Sequence, residues 1–215
     1  MISVKATIPY TADEFRRRAE NAFTTEAHAP REYGDHSINP ELAAMFAAMK
    51  RRDAAVLVPV VDYPGEASVI LTQRTDRLSS HAGQVAFPGG KIDPGETAEE
   101  AALREAEEEI GLPRSAVEVV LRAPDYLTAS GFRIAPVLAV VRPGMPLSLN
   151  PHEVAAAFET PLAFLMDSSN HRKKSRIWQG RARNFFEMPW QDRYIWGVTA
   201  GIIRMLAEEL YGEKI

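Results

Sequence analysis

The sequence predicts an α/β fold with a mixed β-sheet between helical layers. Short β-branched apolar runs alternate along the chain with longer segments of helical spacing. One of those helical segments carries a complete set of start and stop signals. With 46% hydrophobic and 25% charged residues over 215 positions, the chain has the balance of a globular protein long enough to bury a sizeable core.

Residues 11–49 mix charged residues with Ala, Phe and Leu at loose helical spacing, interrupted by Pro30 and by Tyr33-Gly34-Asp35. They read as helical extensions around a loop, so residues 1–50 are expected to form a helical extension packed on a domain spanning 51–215. The run at 54–61 is apolar and β-branched, Pro64-Gly65 marks a turn, and 67–72 is a second such run, which together predict a hairpin. Pro59 inside the first run cannot donate to a ladder and calls for an edge position or a bulge. A polar stretch, a short strand at 84–87 and the turn Pro88-Gly89-Gly90 follow. Thr97, with Glu100 three residues on, forms a capping box, and Gly111 supplies a left-handed stop, so a helix is predicted over 98–110. Strand-like runs return at 117–121 and 134–141, and helical patterns at 151–165 and 195–210. The basic stretch 171–176 between those helices reads as a solvated loop.

The chain has no cysteine, which excludes disulfides, thiolate zinc sites and a cysteine nucleophile. A net charge of −4 offers no general attraction to nucleic acid or to an anionic membrane. Residues 1–10 lack a basic segment followed by an apolar run, and no stretch of about 18 apolar residues occurs, so a cytosolic location is expected. A small anionic partner remains compatible with this charge if a divalent cation mediates. A homodimer is left open.

On the predicted helix each residue turns the side chain by about 100°, so Leu103, Ala106 and Ile110 share one arc, the expected core face. Glu105, Glu108 and Glu109, at i, i+3 and i+4, share another. Like charges at these spacings destabilise a helix by roughly 0.2–0.5 kcal/mol per pair, and Arg104 alone cannot neutralise all three. A hard cation on carboxylate oxygens would; Mg²⁺ typically takes one or two carboxylates, waters and substrate phosphates.

Gly90, Glu96, Arg104, Glu105, Glu108, Glu109 and Gly111, followed by the apolar Leu112, stand at fixed spacings that resemble the Nudix box at all seven of its fixed positions. Ala106 is smaller than the aliphatic residue usual there. The resemblance implies a Nudix-like α/β/α sandwich, a diphosphate hydrolase and a Mg²⁺ or Mn²⁺ cofactor. It further implies Glu105 and Glu109 as principal metal ligands, Glu108 as a further ligand, direct or through water, and the peptide oxygen of Gly89 as an additional one. Glu96 and Arg104 would hold the loop. Upstream, Ile70-Leu71-Thr72-Gln73-Arg74-Thr75, Gly83 and Phe87-Pro88-Gly89-Gly90 resemble the second signature of coenzyme A pyrophosphatases, with Ser79 where that signature has a basic residue. The segments 126–132 and 196–203 are similar to stretches in the same enzymes. Coenzyme A is the implied substrate, cleaved to 4′-phosphopantetheine and adenosine 3′,5′-bisphosphate, with ADP-ribose or another nucleoside diphosphate derivative as the alternative. A non-catalytic nucleotide-binding module ranks lower because the box carboxylates are intact. Arg74 and His81 are candidate phosphate contacts. Glu153 is the candidate general base or extra metal ligand, against a plain carboxylate at a helix N-terminus; Glu105 and Glu109 compete for the same proton.

Overall fold

The computed structural model describes residues 9–24, 32–77, 81–178 and 180–212. Ser79 lies outside them. The chain opens with α1 (Ala12–Phe23), β1 (Tyr33–Gly34) and α2 (Ala43–Ala47), then β2 (Arg52–Val61), β3 (Ser68–Arg74), β4 (Val85–Ala86) and β5 (Gly89–Lys91). Next come α3 (Ala98–Ile110), β6 (Val117–Arg122), β7 (Tyr126–Leu127), β8 (Phe132–Val141), β9 (Val154–Pro161) and α4 (Leu162–Met166). The last part holds β10 (Arg172–Trp178), β11 (Arg181–Trp190), β12 (Arg193–Trp196) and α5 (Val198–Leu206), which runs on into a π-helical turn, Ala207–Tyr211.

β2 and β8 are the centre of a mixed, open sheet. They pair in parallel from Arg52↔Phe132 to Val61↔Val141, with β6 and β7 antiparallel on β8, and β3 and β5 antiparallel on β2. Their apolar residues are continuous rather than alternating because both faces are covered. Val58, Val60, Leu138 and Val140 enter one core with Phe15 of α1, Leu165 of α4 and Ile202 and Leu206 of α5. Ala55, Leu57, Val61, Val137, Ala139 and Val141 enter the other with Ala101, Ala102, Ala106 and Ile110 of α3. Helices thus lie on both faces of the sheet, in an α/β sandwich with no closed barrel. Among the described residues no helix is long and apolar enough to cross a membrane.

Four local expectations need correction. Pro59 is not at an edge: it stands opposite Ala139 in the central ladder. On its other side β2 changes partner between Val56, paired to β5, and Val60, paired to β3, so the missing donor falls in an interval without a partner strand. The turn at 88–90 is half strand, since Gly89 and Gly90 pair with Val56 and Ala55. The helix expected over 151–165 is instead β9 followed by the short α4. Its Ala-rich run suits a helix, but β9 pairs with β3 from Ser68↔Pro161 to Arg74↔Val154, and that ladder overrides propensity. The basic stretch is not a loop but β10, in a separate sheet of order β10-β11-β12.

α3 follows its local signals closely. Thr97 accepts from the Glu100 amide while the Glu100 carboxylate accepts from the Thr97 amide, and Gly111 closes the helix at φ 67°. Thr97→Ala removes half of this reciprocal cap and is expected to cost about 1 kcal/mol, read as a lowered midpoint in denaturant melts at unchanged slope.

Candidate active site and metal centre

Alanines dominate the buried side of α3, and small side chains let a helix approach a sheet closely. The consequence is visible where α3 crosses β5. The Gly89 amide donates to Glu109 Oε2 at 3.2 Å. The Glu105 carboxylate occupies the space that a Cβ on Gly90 would fill. Gly90 thus admits one carboxylate by its missing side chain, and Gly89 binds the other through its amide.

The third carboxylate arrives through the end of the same helix. The last carbonyls of α3 need partners, and the 148–150 segment supplies them: Ser148 N–H donates to Ile110 O and Asn150 N–H to Glu109 O, both at 2.9 Å. Glu153, in the turn that Asn150 begins, is thereby carried alongside. Among the described residues, carboxylate oxygens of Glu105, Glu109 and Glu153 come within 4.8 Å of one another. Glu153 precedes a strand, so the helix N-terminus alternative does not apply.

Glu109 is 2% exposed. Burial pushes its pKa up to about 7 against the opposing pull of the Gly89 amide and Arg74, with Glu105 and Glu153 adding repulsion. Burial also raises Glu105, opposed by Arg104. Arg104 ties the surroundings together: Nε and Nη2 donate to Glu96 at 2.8 and 3.0 Å, Nη1 to Glu105 at 3.0 Å and to Glu108 at 3.3 Å, and Nη2 to the Lys91 carbonyl at 3.1 Å. The Arg104 guanidinium holds Glu96 below its ordinary pKa. Glu108 stays on the solvent side of Arg104, 58% exposed and outside the converging trio.

These residues suit a divalent cation. The trio offers only hard oxygen donors, two members are desolvated, and Arg74 (Nη1 to Glu109 Oε1, 3.6 Å) does not offset the burial that, with repulsion from Glu105 and Glu153, raises Glu109.

Arg74 and Gly89 also line a cavity of about 350 Å³ beside the carboxylates. His81 borders it too, at φ 58°, while its Nδ1 lies 2.9 Å from Gln84 Oε1, so the turn hydrogen bond and the cavity position coexist. The Nε of Arg74 is buried without a hydrogen-bond partner. Lys91, Thr128, Arg183 and Trp196 line the same cavity, as contacts that the sequence itself does not single out. Arg183 in particular has no motif around it.

The NUDIX domain family model matches residues 50–178. The uncharacterized Nudix hydrolase NudL of Escherichia coli O7:K1 is 42% identical over 164 residues, 75% of this chain and 84% of that protein. The NudL of Cronobacter sakazakii is 41% identical over 169 residues, covering 78% and 87%. A solved Nudix hydrolase from M. smegmatis, RenU, is similar at 29% identity and a TM-score of 0.45, over 52% of this chain and 71% of that one.

Proposed function

The chain belongs to the Nudix hydrolases, enzymes of diphosphate-containing substrates, and from that premise we propose that it cleaves coenzyme A or its derivatives to 4′-phosphopantetheine and adenosine 3′,5′-bisphosphate. The observation that carries this reading is the signature from Ile70 to Gly90: its Arg74 lies 3.6 Å from Glu109, and Arg74, Phe87 and Gly89 line one cavity. The walls suit a ligand with an apolar arm and anionic groups, since Val56, Phe87, Phe132, Ile134, Trp196 and Ile202 alternate with Arg74, His81 and Lys91.

In this reading Glu105, Glu109 and Glu153 hold Mg²⁺ or Mn²⁺, with the Gly89 carbonyl and Glu108 as outer or additional donors. When bound, such a cation neutralises diphosphate oxygens and acidifies the attacking water. The residues do the rest. Arg104, fixed by Glu96, holds Glu105 in place. Arg74 and His81 orient the diphosphate. A water oxygen forms a bond to one phosphorus, the bridging P–O bond breaks, and the leaving phosphate keeps that electron pair. The water proton goes to a carboxylate oxygen of Glu153, which sits on a turn rather than among the buried side chains of α3.

Incubation with coenzyme A and Mn²⁺ or Mg²⁺ in ¹⁸O-labelled water tests this, with products identified by mass spectrometry. Both products are expected, the label marking the attacked phosphorus. Cleavage of ADP-ribose but not of coenzyme A would transfer the assignment to the second reading, which Ser79 in place of a basic residue favours.

A further inference from the structure

Two segments outside the matched domain, one on each side of it, grip each other above the cavity. Asp35, 6% exposed, accepts from Tyr126 Oη at 3.0 Å, from the Ala129 amide at 2.8 Å and from Arg183 Nη2 at 3.0 Å. Four residues on, the fully buried Asn39 accepts from the Asn184 amide at 2.7 Å and donates to the Asn184 carbonyl at 3.1 Å, while Asn184 Nδ2 donates to Ile38 O at 2.9 Å. An ion pair with one buried member is weak evidence for stability because desolvation offsets the attraction. What this one does is fix a planar cationic fork at the cavity wall.

The position is remote from the glutamates. From Gly90 the sheet passes to Ala55 of β2, to β8 at 134–135 and to Tyr126 of β7, beside which Asp35 follows β1. Three strand spacings make about 14 Å, farther than a diphosphate reaches and on the scale of a nucleotide. Thr128 and Ser130, which also line the cavity, belong to this end.

We propose that Arg183 recognises a phosphomonoester on the nucleoside part of the substrate, away from the diphosphate that is cleaved, and that Asp35 and Asn39 are positioning residues acting through it. A guanidinium matches a phosphate bidentately. In coenzyme A the group is the 3′-phosphate, and Arg183 supplies a cation that the signature lacks at Ser79. The identity of that phosphate rests on the coenzyme A reading.

Calorimetric binding of adenosine 3′,5′-bisphosphate and of AMP to the full chain with Mg²⁺ tests it. The native protein should prefer the bisphosphate, and Arg183→Ala should reduce that preference roughly 10- to 100-fold. Arg183→Lys, which keeps the ion pair but not the fork, and Asp35→Asn should each reduce it partially, a change of ratio that loss of stability alone would not produce. A native protein without the preference, a preference surviving Arg183→Ala, or equal weakening of both ligands would overturn the proposal. If coenzyme A is not hydrolysed yet the preference depends on Arg183, the substrate reading falls and this one stands. If it is hydrolysed and the preference ignores Arg183, the reverse holds.

Discussion

Glu109→Gln is expected to reduce turnover by more than about 100-fold while making the metal-free protein more stable at pH 8. Loss of groups that merely support metal ligands typically costs 10- to 100-fold, so losing a carboxylate from the trio itself should exceed that. Gln keeps the size of the side chain and an oxygen to accept from the Gly89 amide, so the fold has no reason to change. The stability gain follows from the sign of the pKa shift. In the native protein Glu109 titrates at about 7, against 4.5 as the ordinary value. The folded chain therefore binds more protons than the unfolded one between these values, and stability without metal falls as pH rises through that window. At about 1.4 kcal/mol per unit the shift is worth on the order of 3 kcal/mol. The variant should melt higher than the native protein at pH 8 in chelator, with a flatter dependence on pH. Saturating Mg²⁺ should reverse the order, because only a protein with the full trio gains much from binding. Near-normal turnover in a well-folded Glu109→Gln protein would remove the metal site from the proposal.

How far the sequence discloses this site depends on how local its causes are. α3 was legible at both ends because Thr97, Glu100 and Gly111 act within a turn of themselves. Which glutamates face inward was only partly legible. Leu103 draws the expected core face toward its own side, yet the buried arc is centred on Ala98, Ala101 and Ala102, and Glu109 falls inside it while Glu108 does not. Alanines carry little weight in a pattern of hydrophobicity, but here they decide how near the helix comes to β5. Residues 151–165 misled because Ala-rich composition favours a helix in isolation, whereas the ladder along β3 is a contact some 90 residues distant in sequence. Asp35 and Arg183 gave no signal, since a pair separated by 148 positions has neither period nor spacing to recognise.

The sharpest separation of chemistry from stability lies at Gly90. A methyl group there would coincide with the Glu105 carboxylate, touching Cδ and both oxygens. Its backbone is ordinary strand opposite Ala55, so alanine itself brings no strain. Gly89, one residue earlier, is different: at φ 156° its Cβ would meet the backbone of Ala55 and Val56, so Gly89→Ala should destabilise the sheet. Gly90→Ala is therefore expected to melt within about 1 kcal/mol of the native protein, the conflict being with a side chain that can turn away. Turning away moves Glu105 off Arg104 and out of the trio. Misplacement by about an ångström can cost on the order of 100-fold in rate, and the apparent affinity for Mn²⁺ should weaken with it. Native turnover and native Mn²⁺ affinity in Gly90→Ala would mean that Glu105 need not stand where it does, and that Gly90 serves only the strand.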